Sequence, residues 1–196
     1  MFHDIPDSIK ERMIYLENLD RKHRSENAPS DIRLKQVPRE TGKFLAVLAS
    51  LAPNNTYLEI GTSAGYSALW LSLACRQVGN KLVTFEVSQE KCDLAHETFR
   101  LAGVEDIVKL IHGDAREYLD DYTDIAFCFL DAEKEIYAVC YEQVVPNMMK
   151  DGILVADNII SHKDILESMV ERALHDARVD AVVVPIGSGE LVCVKR

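Results

Sequence analysis

The sequence predicts an α/β fold in which a mostly parallel sheet carries helices on both faces and closes with an antiparallel strand. Three observations predict it. From Tyr57 onward, short apolar runs alternate with segments of helical period, the pattern of β-α units whose strands lie parallel. The first run passes through a small-residue turn straight into a helix, at Tyr57-Leu58-Glu59-Ile60-Gly61-Thr62-Ser63-Ala64-Gly65-Tyr66-Ser67. The last two apolar runs, Ala181 to Pro185 and Leu191 to Val194, are joined only by Ile186-Gly187-Ser188-Gly189-Glu190. That leaves no room for a crossover helix, so one of them runs antiparallel.

The elements follow in order. Ile9, Met13, Leu16 and Leu19 recur at helical spacing within the charged stretch from Ile5 to Asn27, an amphipathic surface helix. Ala28 to Arg39 carries Pro29 and Pro38 and reads as a connecting loop, and Thr41 to Leu51 as a second helix stopped by Pro53 and Asn54. Strands are expected at Tyr57 to Ile60, Lys81 to Glu86, Ile107 to Ile111, Ile125 to Leu130 and Ile153 to Ala156. Helices are expected at Ala64 to Val78, Gln89 to Leu101, Glu133 to Met149 and Lys163 to His175, with a short one at Ala115 to Leu119. The whole is one domain of 196 residues: an N-terminal helical attachment over 1–53 and an α/β core over 54–196.

Composition narrows the function. A formal net charge of −10 with no cluster of Lys and Arg argues against a nucleic-acid partner, because phosphate neutralisation needs gathered cations. No apolar stretch reaches membrane-spanning length and no secretory leader is visible. Cys75, Cys92, Cys128, Cys140 and Cys193 are odd in number, scattered, and free of CxxC spacing, so they read as reduced core residues of a cytoplasmic protein.

The turn after the first strand is a cofactor-binding turn. Its glycines stand as GxxxG, so neither the GxGxxG cradle of a nicotinamide-dependent oxidoreductase nor a phosphate loop is spelled out. Glu59 would repel phosphate and attract a cationic ligand. The other strand ends also carry acids: Glu86, Asp114 after His112-Gly113, Asp131, and Asp157-Asn158. In a parallel sheet these ends share one edge, so the carboxylates converge on the crevice at the topological switch point. Hydroxyl donors, a cation or a cationic ligand must offset their repulsion.

Glu86 stands about twenty residues beyond the glycine turn, where a doubly wound fold holds a ribose diol. Asp114 can accept from an adenine amine or cap the short helix after it. Asp131, Asp157 and Asn158 offer oxygen ligands to a hard cation such as Mg²⁺, or else cap a helix and make a turn. Lys134, in the first turn after Asp131, is a surface lysine or, beside a bound cation, a candidate base. His162 lies near the pair, with Ser161 as the expected N-cap of the next helix.

These residues resemble the cation-dependent class I O-methyltransferases that include catechol and caffeoyl-CoA O-methyltransferases and small bacterial and archaeal relatives. The resemblance runs from Val37-Pro38-Arg39-Glu40-Thr41-Gly42-Lys43-Phe44-Leu45 through the Glu59 turn and Phe129-Leu130-Asp131-Ala132-Glu133-Lys134 to Ala156-Asp157-Asn158, and on to Pro185-Ile186-Gly187-Ser188-Gly189. It implies a Rossmann-like, seven-stranded methyltransferase fold with S-adenosylmethionine as cofactor. Glu59, Gly61, Ser63 and Ser67 would lie near its amino-acid portion with Val37 closing over it, Glu86 at the ribose, and Gly113, Asp114 and Ala115 at the adenine. Asp131, which borders the cofactor as well, would hold a divalent cation, Mg²⁺ first, with Asp157 and Asn158. Asp131 and Lys134 would then carry the chemistry on a small hydroxylated, catechol-like acceptor. The resemblance also implies a homodimer, with the Ile5 to Asn27 helix as a contributor. Two departures stand out: the N-terminal helical segment is short, and the chain after Asn158 enters a helix almost at once, where catechol-type members carry a longer acceptor loop. A methyltransferase for nitrogen or nucleic acid fits less well, since no Asn/Asp-Pro-Pro-Tyr motif is present.

Overall fold

A computed structural model describes residues 1–29 and 32–196; Ser30 and Asp31 of the expected connecting loop lie outside the described residues. Helices α1 (Asp7–Ser25) and α2 (Arg39–Leu51) precede the alternating core. The core runs β1 (Thr56–Ile60), α3 (Tyr66–Val78), β2 (Leu82–Glu86), α4 (Gln89–Ala102), β3 (Val108–His112), β4 (Ile125–Leu130), α5 (Tyr137–Asn147), β5 (Met148–Ala156), α6 (Lys163–Leu174), β6 (Val179–Val184) and β7 (Glu190–Lys195). The seven strands are ordered β3-β2-β1-β4-β5-β7-β6, and β7 alone runs antiparallel, between β5 and β6. The order reverses between β1 and β4, which places the switch point of the sheet at their C-terminal ends.

Alternation along each strand divides the core in two. Tyr57, Leu82, Phe127, Phe129, Ile153, Val155 and Val192 pack on the face covered by α2, α3 and α4. Leu58, Ile60, Phe85, Cys128, Leu130, Leu154, Leu191 and Cys193 pack on the opposite face, under α5 and α6. The same parity sends Glu59, Glu86, Asp131, Asp157 and Glu190 toward the first of these faces. Helix α1 forms an outer layer. Its Ile9, Met13 and Leu16 are buried, and Arg12 donates to Thr98 Oγ1 (3.0 Å) and Glu97 Oε2 (2.9 Å) on α4.

The expected Glu133 to Met149 helix is shorter than predicted. A 3-10 turn fills Lys134–Ile136, α5 ends at Asn147 just after Pro146, and Met148 turns to extended backbone (φ −72°, ψ 138°). Strand β5 therefore begins at Met148, paired with Ile125, well before the Ile153 start expected from hydropathy. Lys150-Asp151 falls between the expected helix and the expected strand. It is a kink within β5, with Asp151 at φ +65°. The other correction concerns Ser161: α6 is capped at His162 with no side-chain cap bond, and Ser161 Oγ instead lies 3.0 Å from His162 Nδ1. All five cysteines are free and buried.

Helices α2 and α3 meet closely because residue 42 has no side chain. A Cβ there would stand 2.3 Å from Trp70 Cδ1, and Trp70 is itself fully buried, with Phe2 and Tyr66 edge-on to its ring. Gly42→Ala is therefore expected to destabilise the chain despite alanine's better helix propensity. Against a buried indole ring the overpacking falls in the upper part of its usual range, at about 2–3 kcal/mol, which outweighs a propensity gain of about 1 kcal/mol for a net loss of about 1–2 kcal/mol in urea unfolding. A neutral or stabilising result would contradict the packing described.

Candidate active site

A cleft of about 1010 Å³ opens at the C-terminal edge of the parallel strands, over the switch point. Val37, Gly61, Ser63, Ser67, Glu86, Gly113, Asp114, Ala115, Asp131, Lys134, Asp157 and Asn158 all line it. Residues from six separate stretches of sequence thus meet at one place. Glu59 is the exception: it is fully buried beneath the turn and does not line the cleft.

The turn is built by close approach. Gly61 has φ +102°, and a Cβ there would fall 2.1 Å from the Asp131 carbonyl oxygen, so only glycine lets the ends of β1 and β4 meet. Gly61 and Thr62 donate backbone N–H groups to Phe85 O (3.0 and 3.1 Å). Under the turn, Glu59 Oε2 accepts from Thr84 Oγ1 (2.6 Å), which lies 2.6 Å from Thr62 Oγ1. Burial pushes the Glu59 carboxyl up to about 7, with the Ser67 and Thr84 hydroxyls opposing the shift.

Glu86 is held by backbone alone. Its Oε2 accepts from Ser63 N (2.8 Å), and its Oε1 from Val87 N (3.0 Å) and Ser88 N (2.9 Å). A carboxylate fixed in this way keeps lone pairs for hydroxyl donors in the cleft. Asp114 does cap the short turn Ala115–Glu117, accepting from Arg116 N at 3.0 Å, and its ion pair with the Arg116 side chain holds its carboxyl below the usual carboxylate range. The segment before α2 forms a strap across the cleft. Ser63 Oγ donates to Leu34 O (2.7 Å), Lys35 pairs with Glu133 (3.3 Å), and Val37 is buried against the wall.

The second cluster stands beside the first. Lys134 Nζ donates to Asp131 Oδ1 (3.2 Å), Ala132 O (2.8 Å) and Tyr137 Oη (2.9 Å), and lies 4.8 Å from the Tyr137 ring centre. Burial raises the Asp131 carboxyl to about 6; Lys134 opposes the shift and Asp157 adds to it. Asp157 is buried, its oxygens accepting from Asn158 N (2.6 Å) and Asn158 Nδ2 (3.2 Å), with Asn158 at φ +68°. His162 lines the cleft from an exposed position.

One acid at this edge escapes sequence reading. Glu190 is fully buried with both carboxylate oxygens unpartnered, and burial followed by the Asp157 charge pushes it up to about 10. Reading acids only at the ends of strands misses it, because β7 is antiparallel and brings its first residue, not its last, to the edge where the parallel strands finish. Among the described residues, no group of three or more His, Cys, Asp or Glu side chains is arranged to hold an ion unaided. An ion here would need Asp131, Asp157 and the Asn158 amide oxygen together. That all-oxygen set, with the orphaned Glu190 oxygens behind it, fits a hard cation.

A doubly wound sheet whose switch point opens on such a cleft defines an α/β enzyme that binds a small cofactor against its strand ends. The chain belongs to the O-methyltransferase family, the class I enzymes dependent on S-adenosylmethionine: the family model described as O-methyltransferase matches residues 7–196. A catechol O-methyltransferase of Niastella koreensis is 31% identical over 148 residues, covering 72% of this chain and 66% of that protein. A caffeoyl-CoA O-methyltransferase of Medicago sativa is 23% identical over 179 residues, covering 79% and 72%. In structure, the fold matches an O-methyltransferase of Bacillus cereus solved with SAH at a TM-score of 0.79, with 24% identity over 95% of this chain and 91% of that one. It matches the O-methyltransferase TomG of Streptomyces achromogenes, solved with SAM, at 0.78 with 21% identity, over 98% and 91%.

The state of Glu59 is testable through stability. The folded chain holds this proton up to about pH 7, whereas an ordinary glutamate releases it near 4.5. In that window the folded state carries the extra proton, so this group's contribution to stability falls as pH rises. Glu59→Gln should remove that share, about 1.4 kcal/mol per pH unit, from the slope of unfolding free energy against pH. An unchanged slope between pH 4.5 and 7 would show that Glu59 does not titrate there.

Proposed function

We propose that the chain transfers the methyl group of S-adenosylmethionine to a hydroxyl of a small, catechol-like acceptor, with a divalent cation, Mg²⁺ first, at Asp131, Asp157 and Asn158. The observation that carries this reading is the placement of Lys134 Nζ, 3.2 Å from Asp131 and half-buried at the cleft wall. In this reading Glu86 receives the ribose hydroxyls, Gly113, Asp114 and Ala115 border the adenine, and Gly61, Ser63 and Ser67 border the amino-acid end, with Val37 above it. Buried Glu59 lies beneath the turn behind the Thr84 and Ser67 hydroxyls, where a cationic ligand above it would favour its ionised form.

When bound, the cation would supply Lewis acidity that eases loss of the acceptor's proton and would align adjacent hydroxyls. The chain's own residues do the rest. As the free amine, the form that gives up its bond to Asp131, Lys134 Nζ is placed to take the hydroxyl proton on its lone pair, while its two remaining N–H groups stay on Ala132 O and Tyr137 Oη. The acceptor oxygen bonds to the methyl carbon as the carbon–sulfur bond breaks, and that electron pair stays on sulfur. Holding donor and acceptor in line supplies much of the rate. The exposed Ile165, on α6, lines the cleft with apolar surface that suits an aromatic ring. Ile14 and Tyr15 stand half-exposed on α1 and support the reading of a homodimer through that helix. Among the described residues no helix is long and apolar enough to cross a membrane.

With labelled S-adenosylmethionine, Mg²⁺ and a panel of catechols, methylated product should form and should be lost on adding EDTA. Asp157→Ala should lower turnover by at least about a hundredfold while S-adenosylmethionine still binds. Turnover indifferent to chelation would overturn the cation reading.

A further inference from the structure

The charges around Asp157 do not balance within the chain. Strand β7 pairs with β5 so that Ala156 faces Leu191, and one step further along the ladder Asp157 comes opposite Glu190. Like charges directly opposite across a ladder are destabilising, and this pair is buried on both sides. Among the described residues no donor reaches either oxygen of Glu190. Asp157 spends its own hydrogen bonds on Asn158, and the ammonium in the cluster, Lys134, bonds to Asp131, not to Asp157 or Glu190. Fully ionised, the three carboxylates would face one ammonium and fall two positive charges short at one end of the cleft, a deficit that a proton on Glu190 or a bound cation makes up.

The backbone shows no sign that the pair is an accident of a loose end. Ile159 N donates to Gly189 O (2.9 Å), and Ile160 N and Ser161 N donate to Ser188 O (3.1 and 3.0 Å), so the turn carrying Asp157-Asn158 is tied to the hairpin that presents Glu190. A Cβ on Gly189 would strike Ile160 at 2.4 Å, so the two turns are in direct contact. The position of Glu190 is thereby fixed relative to Asp157.

We propose that Glu190 is a positioning carboxylate of the cation site: it stands behind Asp157, aims it into the cleft, and supplies the negative charge that a divalent cation completes. This rests on the cation reading above. It adds a residue that does not itself line the cleft or touch the acceptor. Removing an outer-shell partner of a metal ligand typically weakens metal binding about 10–100-fold. The role depends on charge as well as shape, so Glu190→Asp should keep more affinity than the isosteric but neutral Glu190→Gln.

The test is calorimetric titration of Mg²⁺ and Mn²⁺ into the whole chain carrying S-adenosylhomocysteine, with no acceptor present. Glu190→Gln should bind either ion at least about tenfold more weakly than the parent, and Glu190→Asp should fall between them. Binding of S-adenosylhomocysteine, measured separately in EDTA, should stay within about twofold of the parent, which also reports that each variant is folded. Equal cation affinity in parent and Glu190→Gln, with Asp157→Ala still losing the ion, would overturn the role of Glu190 alone. A parent chain that binds neither ion would overturn the cation reading as well. Loss of S-adenosylhomocysteine binding in both Glu190 variants would instead make Glu190 a structural residue of the sheet edge, and would also overturn the proposal.

Discussion

Five carboxylates crowd one edge of one sheet, and the surrounding structure is organised by the need to keep them there. Glu59, Glu86, Asp131, Asp157 and Glu190 share a parity along their strands and lie on the face beneath α2, α3 and α4. Like charges at close range in a poorly solvated place repel strongly. Each has been met differently. Glu86 is wrapped in three backbone N–H groups, Glu59 sits on a chain of threonine hydroxyls, and Asp131 has Lys134. Asp157 and Glu190 are left facing each other, so the electrostatic gap in the ligand-free chain is concentrated at one end of the cleft.

That gradient gives the cleft its two halves. Toward β2 and β3 the acids are already satisfied and rigid, which suits recognition of hydroxyls and amines by fixed acceptors. Toward β5 and β7, Glu190 is unpartnered and stands opposite Asp157, which suits a cation. Gly61 joins the halves by letting the ends of β1 and β4 touch, and the strap held by Ser63 and Lys35 lies across the first half. Lys134 stands at the boundary, braced by Tyr137 and the Ala132 carbonyl.

Much of this was legible in the sequence, and what was not has physical causes. Alternation of strand and helix, the open hairpin at the end, and the acids after each parallel strand follow from residue pattern, because period and burial are local properties. The start of β5 was hidden because Met148 and Met149 continue the helical pattern of α5, and only pairing with Ile125 makes Met148 strand. Glu59 was legible as an acid at a strand end, but not as one sealed under Thr62 and Thr84, since that depends on β2 as neighbour. Glu190 was invisible for the opposite reason. It begins a strand, and only the antiparallel insertion of β7 beside β5 carries it to Asp157.

The chemistry of the cleft depends on a cation between Asp131, Asp157 and Asn158. Anomalous diffraction from crystals grown with Mn²⁺ and S-adenosylhomocysteine should show one strong peak within bonding distance of the side-chain oxygens of all three residues, with Glu190 behind Asp157 and outside the coordination shell. A cleft without such a peak, with S-adenosylhomocysteine bound and all three side chains ordered, would contradict the cation reading.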